Sequence, residues 1–266
     1  MFSRKKIYIS GIVVLVVLAA LFAGRYFLLR SSKAPKTYLE EFKDIVKSPG
    51  ADVSQPEEKA VTAEPAGSIK EEKTLPEKIF IKVPFTSQAP FAVWDIRHEE
   101  ACEEASLLML AYYFQGEKLN KEIAEKEVQE LIKFQIEKYG DYKDSNVGEI
   151  VKLAEDFYGI KNLRVIYDFS KGEIKKELAK GNPIIVPAAG RLLGNPYYTQ
   201  PGPLYHNLVL VGYSGDKIIT NDPGTRKGEG YRYPIDVLYN AIHDFPGDKN
   251  KINEGRKAMI VIDGQS

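Results

Sequence analysis

The hydrophobic period of this chain changes once along its length, and that change limits the folds open to it. Between Ala101 and Gly181 the apolar residues recur at helical spacing. ACEEASLLMLAYYF sets Ala105, Leu108, Ala111 and Phe114 on one face, and KEIAEKEVQELIKFQIEKYG and NVGEIVKLAEDFYG continue the pattern. SKGEIKKELAKG opens with Ser170 and Glu173 in capping-box register and stops at Gly181. Beyond it the pattern is that of strands: PIIVP, then HNLVLVGYSGDKIITNDP as a hairpin turning at Ser214-Gly215-Asp216, then AMIVID. IFIKV, from Ile79 to Val83, reads as a first strand. Helices followed by an antiparallel sheet predict an α+β fold.

The first 78 residues follow other rules. After Arg4, Lys5 and Lys6 comes IYISGIVVLVVLAALFAG, an uncharged run of about 18 residues, which YFLL extends past Arg25. That length spans a bilayer. A cleavable signal peptide is the competing reading, but no small-x-small site precedes Arg25. Arg25, Arg30, Lys33 and Lys36 balance the basic residues before the segment, so only the short N-terminal tail favours an inside N-terminus. From Ser31 the composition shifts to Pro, Glu, Lys, Ala and Ser, the signature of a flexible stalk. The expected organisation is a membrane anchor at 1–30, a flexible linker at 31–78 and one soluble domain at 79–266, facing out of the cytoplasm from a single-pass cell-membrane anchor.

Composition removes several function classes. With 37 Lys+Arg against 37 Asp+Glu the formal charge is zero, so no basic excess points to nucleic acid. One cysteine excludes an intrachain disulfide and a cysteine-based zinc site, and three histidines leave metal clusters scarce. NDPGTRKGEG lacks both Walker spacing and the alternating carboxylates of an EF-hand.

What remains is thiol chemistry. Cys102 falls at a helix start, where unpaired amide N–H groups and the helix dipole favour a thiolate. Glu99, Glu100, Glu103 and Glu104 surround it in sequence and would oppose ionisation. His206 heads an apolar strand, where its imidazole is held near the sheet edge. Asp222 ends the next strand, and antiparallel pairing returns that end beside His206. Each alone has a bland reading: a buried filler, a strand histidine, a turn former. His98, in the loop before Cys102, has no sheet to fix its ring. His243 reads as a partly exposed helix residue in YNAIHDF, and Trp94 as loop packing. AAGRLLGNPYYTQPGPLYH is a long loop leading into His206, from which Tyr197, Tyr198 and Tyr205 would flank a groove or simply decorate the surface.

VPFTSQAPFAVWD, EEACEEASLLML, YHNLVLVGY and ITNDPGT together resemble the papain-fold cysteine peptidases related to the bacteriocin leader-processing peptidases of ABC exporters, in their stand-alone form. The resemblance covers essentially Ile79 to Ile262. It implies a helix bundle, containing the nucleophile helix, packed on an antiparallel sheet. It implies Cys102 as nucleophile, His206 as general base, Asp222 as the group orienting the imidazole, and Gln88 as a side-chain donor to the oxyanion. Where the commoner family pattern has Gly-Pro after the cysteine, this chain has Glu103 and Glu104, read either as first-turn residues pointing to solvent or as a negative rim selecting basic substrates. The expected activity is cleavage of a peptide or other amide, by a monomer without a cofactor or metal. A cell-envelope amidase or transpeptidase on the same triad, and a catalytically silent papain-fold binding module, stay open beside it.

Overall fold

The computed structural model describes residues 74–262. The apolar segment at 7–24 and nearly all of the expected linker lie outside them. Among the described residues no helix is long and apolar enough to cross a membrane.

The fold is α+β, with a seven-stranded sheet carrying the order β2-β7-β3-β4-β5-β6 and β1 paired to one end of β4. The strands are β1 (Lys78–Phe80), β2 (Leu163–Tyr167), β3 (Ile184–Ala189), β4 (Tyr205–Ser214), β5 (Lys217–Asn221), β6 (Tyr231–Pro234) and β7 (Ala258–Ile262). All their pairings are antiparallel. The main helices are α1 (Ile96–Glu99), α2 (Cys102–Gln115), α3 (Lys121–Tyr139), α4 (Val147–Leu153), α5 (Lys171–Ala179), α6 (Gly190–Leu193) and α7 (Ile235–Ala241).

The central element is α2. Every residue from Cys102 to Ala111 is buried, so this helix is enclosed on all sides rather than amphipathic. It packs against β4 and α3. Helix α3 buries Ala124, Val128, Leu131 and Ile132, one stripe at helical spacing, and leaves its charged face to water. Asn120, Asn146 and Ser170 cap α3, α4 and α5, the last two through full capping boxes. Such caps typically contribute about 1 kcal/mol each. Helix α4 continues into a π-helical turn at Ala154–Tyr158, which Gly159 ends.

Strand β4 is the spine of the sheet and is buried from Tyr205 through Tyr213. It pairs with β3 on one side, and its two-residue turn to β5 sets Ser214 opposite Lys217. A register shift between Leu210 and Gly212 accompanies the approach of β1. A Cβ on Gly212 would stand 2.2 Å from the Ile79 carbonyl oxygen, so only glycine lets β1 close here.

Three readings of the pattern change. The helices and strands do not segregate fully, because β2 lies between the π turn and α5 and reaches the sheet by pairing with β7. The first strand ends at Phe80, although the Ile81 amide still donates to Val211. His243 follows α7 rather than lying in it, with Nδ1 2.8 Å from the Gly255 carbonyl.

Candidate active site

A cavity of about 830 Å³ opens where the start of α2 meets the start of β4. Cys102 and His206 both line it, with Gln88, Trp94 and Glu99 before the helix and the loops at 197–203 and 224–227 completing the wall. Trp94 is therefore an exposed cavity residue rather than loop packing. Arg226 and Lys227 set positive charge on the rim, and the Lys227 ammonium lies 4.6 Å from the Tyr197 ring.

The hairpin geometry brings His206 and Asp222 into contact: Nε2 lies 2.8 Å from Oδ1, with both side chains shut away from solvent. Asp222 is saturated with donors. The Tyr198 and Tyr233 hydroxyls donate to Oδ2 at 2.6 and 2.7 Å, the Asn195 amide donates at 3.3 Å, and the Gly224 N–H donates to Oδ1 at 3.0 Å. Burial would raise this carboxyl's pKa, but His206 and the two tyrosine hydroxyls outweigh it and hold the pKa below the ordinary 3.8. With Nε2 occupied by Asp222, Nδ1 is the ring nitrogen left for chemistry at the cavity.

Tyr197, Tyr198 and Tyr205 all line the cavity, but not alike. Tyr198 and Tyr205 are largely buried in its wall, one donating to Asp222 and the other to the Ser145 carbonyl at 2.7 Å, while Tyr197 is exposed. The supporting Tyr233 and Asn195 carry no motif of their own. Only the apolar-polar alternation of YRYP hints that Tyr233 faces inward.

Cys102 is the first residue of α2, as its helix-start pattern predicts. Its electrostatics are not those of the dipole alone. Sγ lies 3.0 Å from Oε2 of Glu103. Burial pushes the thiol's pKa well above its usual range, and the Glu103 and Glu104 carboxyls push it further, against a backbone N–H from Asn207. Both glutamates are fully buried, at 1% and 0% exposure, which overturns the solvent-pointing and negative-rim readings alike.

Gln88 is buried with its backbone N–H on the Pro223 carbonyl, so it ties the loop after Asp222 to α1, just ahead of Cys102. Its side-chain amide donates to the His98 carbonyl at 2.7 Å and to the Glu99 carbonyl at 3.2 Å. Its Oε1 has no partner. In this state the Gln88 amide therefore braces the turn ahead of Cys102. His98 stands apart from this chemistry. Its Nδ1 meets Asp95 at 2.8 Å and its Nε2 meets Glu125 at 3.1 Å, which occupies both ring nitrogens.

Comparison with known proteins bears on this arrangement. Residues 80–245 match the model of the Peptidase_C39 like family. Among solved structures, a protein from Bacillus anthracis described as a C39-like peptidase is 16% identical, covering 72% of this chain and all of its own, with a TM-score of 0.47. A double-glycine motif protease from an AMS/PCAT transporter, solved in complex with the leader peptide, is 19% identical, covering 69% of this chain and 91% of its own, with a TM-score of 0.36. No curated protein matches. The family match spans the stretch from β1 past α7 and so includes Gln88, Cys102, His206 and Asp222. The chain belongs to the Peptidase_C39 like family and is a cysteine peptidase with a papain-like α+β fold.

Proposed function

We propose that this chain is a membrane-anchored cysteine peptidase in which Cys102, His206 and Asp222 act as a triad on a peptide bond. The observation that carries the reading is a thiol and a carboxylate-bound imidazole opening on one cavity. Cys102 Sγ attacks the carbonyl carbon as its proton passes to Nδ1 of His206. The imidazolium then returns that proton to the departing amine, which leaves a thioester for water to hydrolyse. Asp222 holds the ring through Nε2 and stabilises its charge. The oxyanion is expected to take the backbone N–H of Cys102 and one N–H of Gln88, which would release the Glu99 carbonyl as substrate enters. The peptide nature of the substrate rests on the family, and the membrane location on the apolar run at 7–24.

The test is alkylation of the full chain with iodoacetamide from pH 4 to 10, wild type beside His206→Ala, followed by screening of a peptide library with the same pair. A thiol whose reactivity depends on His206, and library cleavage lost in the variant, support the triad. The Cys102–Glu103 contact favours a second reading, a silent papain-fold module that binds peptides without cutting them. A thiol that reacts equally slowly with and without His206 decides for it.

A further inference from the structure

The partner that the structure gives the Cys102 thiol is a carboxyl group. Sγ lies 3.0 Å from Oε2 of Glu103, and the other oxygen, Oε1, accepts the Ser145 backbone N–H at 3.1 Å. Ser145 is itself held by the Tyr205 hydroxyl, which donates to its carbonyl from the head of β4 at 2.7 Å. Both Cys102 and Glu103 are buried, so the carboxyl is fixed by three elements rather than resting on the surface.

We propose that Glu103 is a positioning residue that governs the protonation of the nucleophile: as a carboxylate it retains the thiol S–H, and as a carboxylic acid it donates to the thiolate. The inference rests on Cys102 being the nucleophile. The protons balance in each state. With Glu103 ionised, S–H donates to Oε2, and passing that proton to His206 would leave a thiolate against a carboxylate in a buried site. With Glu103 protonated, Oε2–H donates to sulfur, and the thiolate–imidazolium pair forms beside a neutral group. Only bonds to hydrogen change.

The surroundings favour the protonated carboxyl. Burial raises the Glu103 pKa well above its ordinary value, and the Glu104 carboxyl on the same helix and Asp144 from the loop before α4 raise it further. Tyr205 faces Glu103 from β4 and stays neutral for the same reason, burial first and Glu103 second, with Asp244 adding to it. The nearby Lys249 ammonium is spent on Asp144 at 3.2 Å and on Glu100 at 3.5 Å. His206 enters from β4 on the cavity side.

Glu103→Gln tests this directly, because the amide keeps an oxygen for the Ser145 N–H and presents a permanent neutral donor to sulfur. The rate of iodoacetamide alkylation of the full chain is followed from pH 5 to 9. The variant is expected to react like wild type at the acid end of that range, where Glu103 keeps its proton, and at least about tenfold faster at the alkaline end, where an ionised Glu103 holds the wild-type S–H, with its midpoint at least about one pH unit lower. A variant that reacts at the wild-type rate or slower across that range overturns the proposal, since a merely structural Glu103 would leave the profile in place. Should Glu103→Gln lose its cooperative thermal transition, Glu103→Asp draws the carboxylate back by one methylene. It is expected to react faster than wild type at the alkaline end of that range, and an unchanged or slower rate there overturns the proposal. His206→Ala in each background separates the two readings. Insensitivity of the wild-type thiol to His206→Ala sinks the triad, while the Glu103 effect is read from the ratio within each background.

Discussion

Nε2 of His206 meets Oδ1 of Asp222 at 2.8 Å with both side chains almost wholly buried, and four further donors converge on the same carboxylate. An imidazole held so firmly by one nitrogen has its other nitrogen aimed by the protein, which is the condition for proton transfer with a fixed partner.

Asp222→Asn should remove both the orientation and the charge. Turnover is expected to fall by about three to four orders of magnitude, the range typical when a buried triad carboxylate becomes an amide. The stability effect has a defined sign. The folded pKa lies below the ordinary 3.8, so the carboxylate contributes stability above that value, and this is lost as pH falls through the folded pKa. Urea midpoints measured between pH 2 and 5 should drop with acid in the wild type and be flatter in Asp222→Asn. Equal slopes would mean that Asp222 is not the ionised anchor of this network.

Gly224→Ala probes the space around the ring. The added Cβ would lie 2.8 Å from Cε1 and 3.1 Å from Nε2 of His206, and 3.1 Å from Cε1 of Tyr198. Neither buried ring can yield freely, so the imidazole must shift. A displacement of that kind typically costs about a hundredfold in rate. The expected result is a loss of turnover and of His206-dependent alkylation with an intact thermal transition. Wild-type kinetics in this variant would place the functional ring elsewhere.

Glu104 predicts a stability profile of the opposite sense. Burial raises its pKa from 4.5 to about 7, and its Oε2 has no hydrogen-bond partner. A group that prefers its proton in the folded state makes the protein less stable as pH rises between those values. At about 1.4 kcal/mol per tenfold change this amounts to on the order of 3 kcal/mol. Glu104→Gln keeps an oxygen for the Gln135 amide and cannot ionise. Denaturation of both proteins at pH 5 and pH 8 should show the wild type losing more stability than the variant. A variant that loses as much as wild type would refute the buried ionisation.

These two opposed titrations mark where sequence reading reached and where it stopped. The His206–Asp222 contact was legible because a local turn at Gly215 folds β5 back along β4 and returns its end toward the head of β4, although the register shift between Leu210 and Gly212 was not. The capping boxes at Asn146 and Ser170 depend on neighbours three residues apart. The burial of Glu103 and Glu104 was not legible, because it depends on β4, α3 and the Ser145 loop closing around α2, contacts more than thirty residues away in sequence. A charged pair in a first helical turn has an ordinary solvent-facing explanation, and local pattern cannot distinguish it from an enclosed one. Tyr198 was visible as a loop residue but not as a donor to Asp222, for the same reason. Strand β2, five residues long and only partly buried, alternates too briefly to stand out between helices.

Gln88 offers the sharpest separation of roles. Its amide now donates to the His98 and Glu99 carbonyls, at 2.7 and 3.2 Å, and the longer bond is the one an oxyanion would displace. Removing an oxyanion donor lowers turnover by about two to three orders of magnitude. Alkylation by iodoacetamide displaces iodide at a saturated carbon and develops no oxyanion, so it does not call on that donor. Gln88→Ala is therefore expected to lose turnover on that scale while Cys102 alkylation stays within about threefold of wild type. Losing the two hydrogen bonds should also lower stability by about 1–3 kcal/mol, read by urea titration. If alkylation instead falls in parallel with turnover, Gln88 acts by holding the turn that delivers Cys102, and the oxyanion role belongs to backbone N–H groups alone.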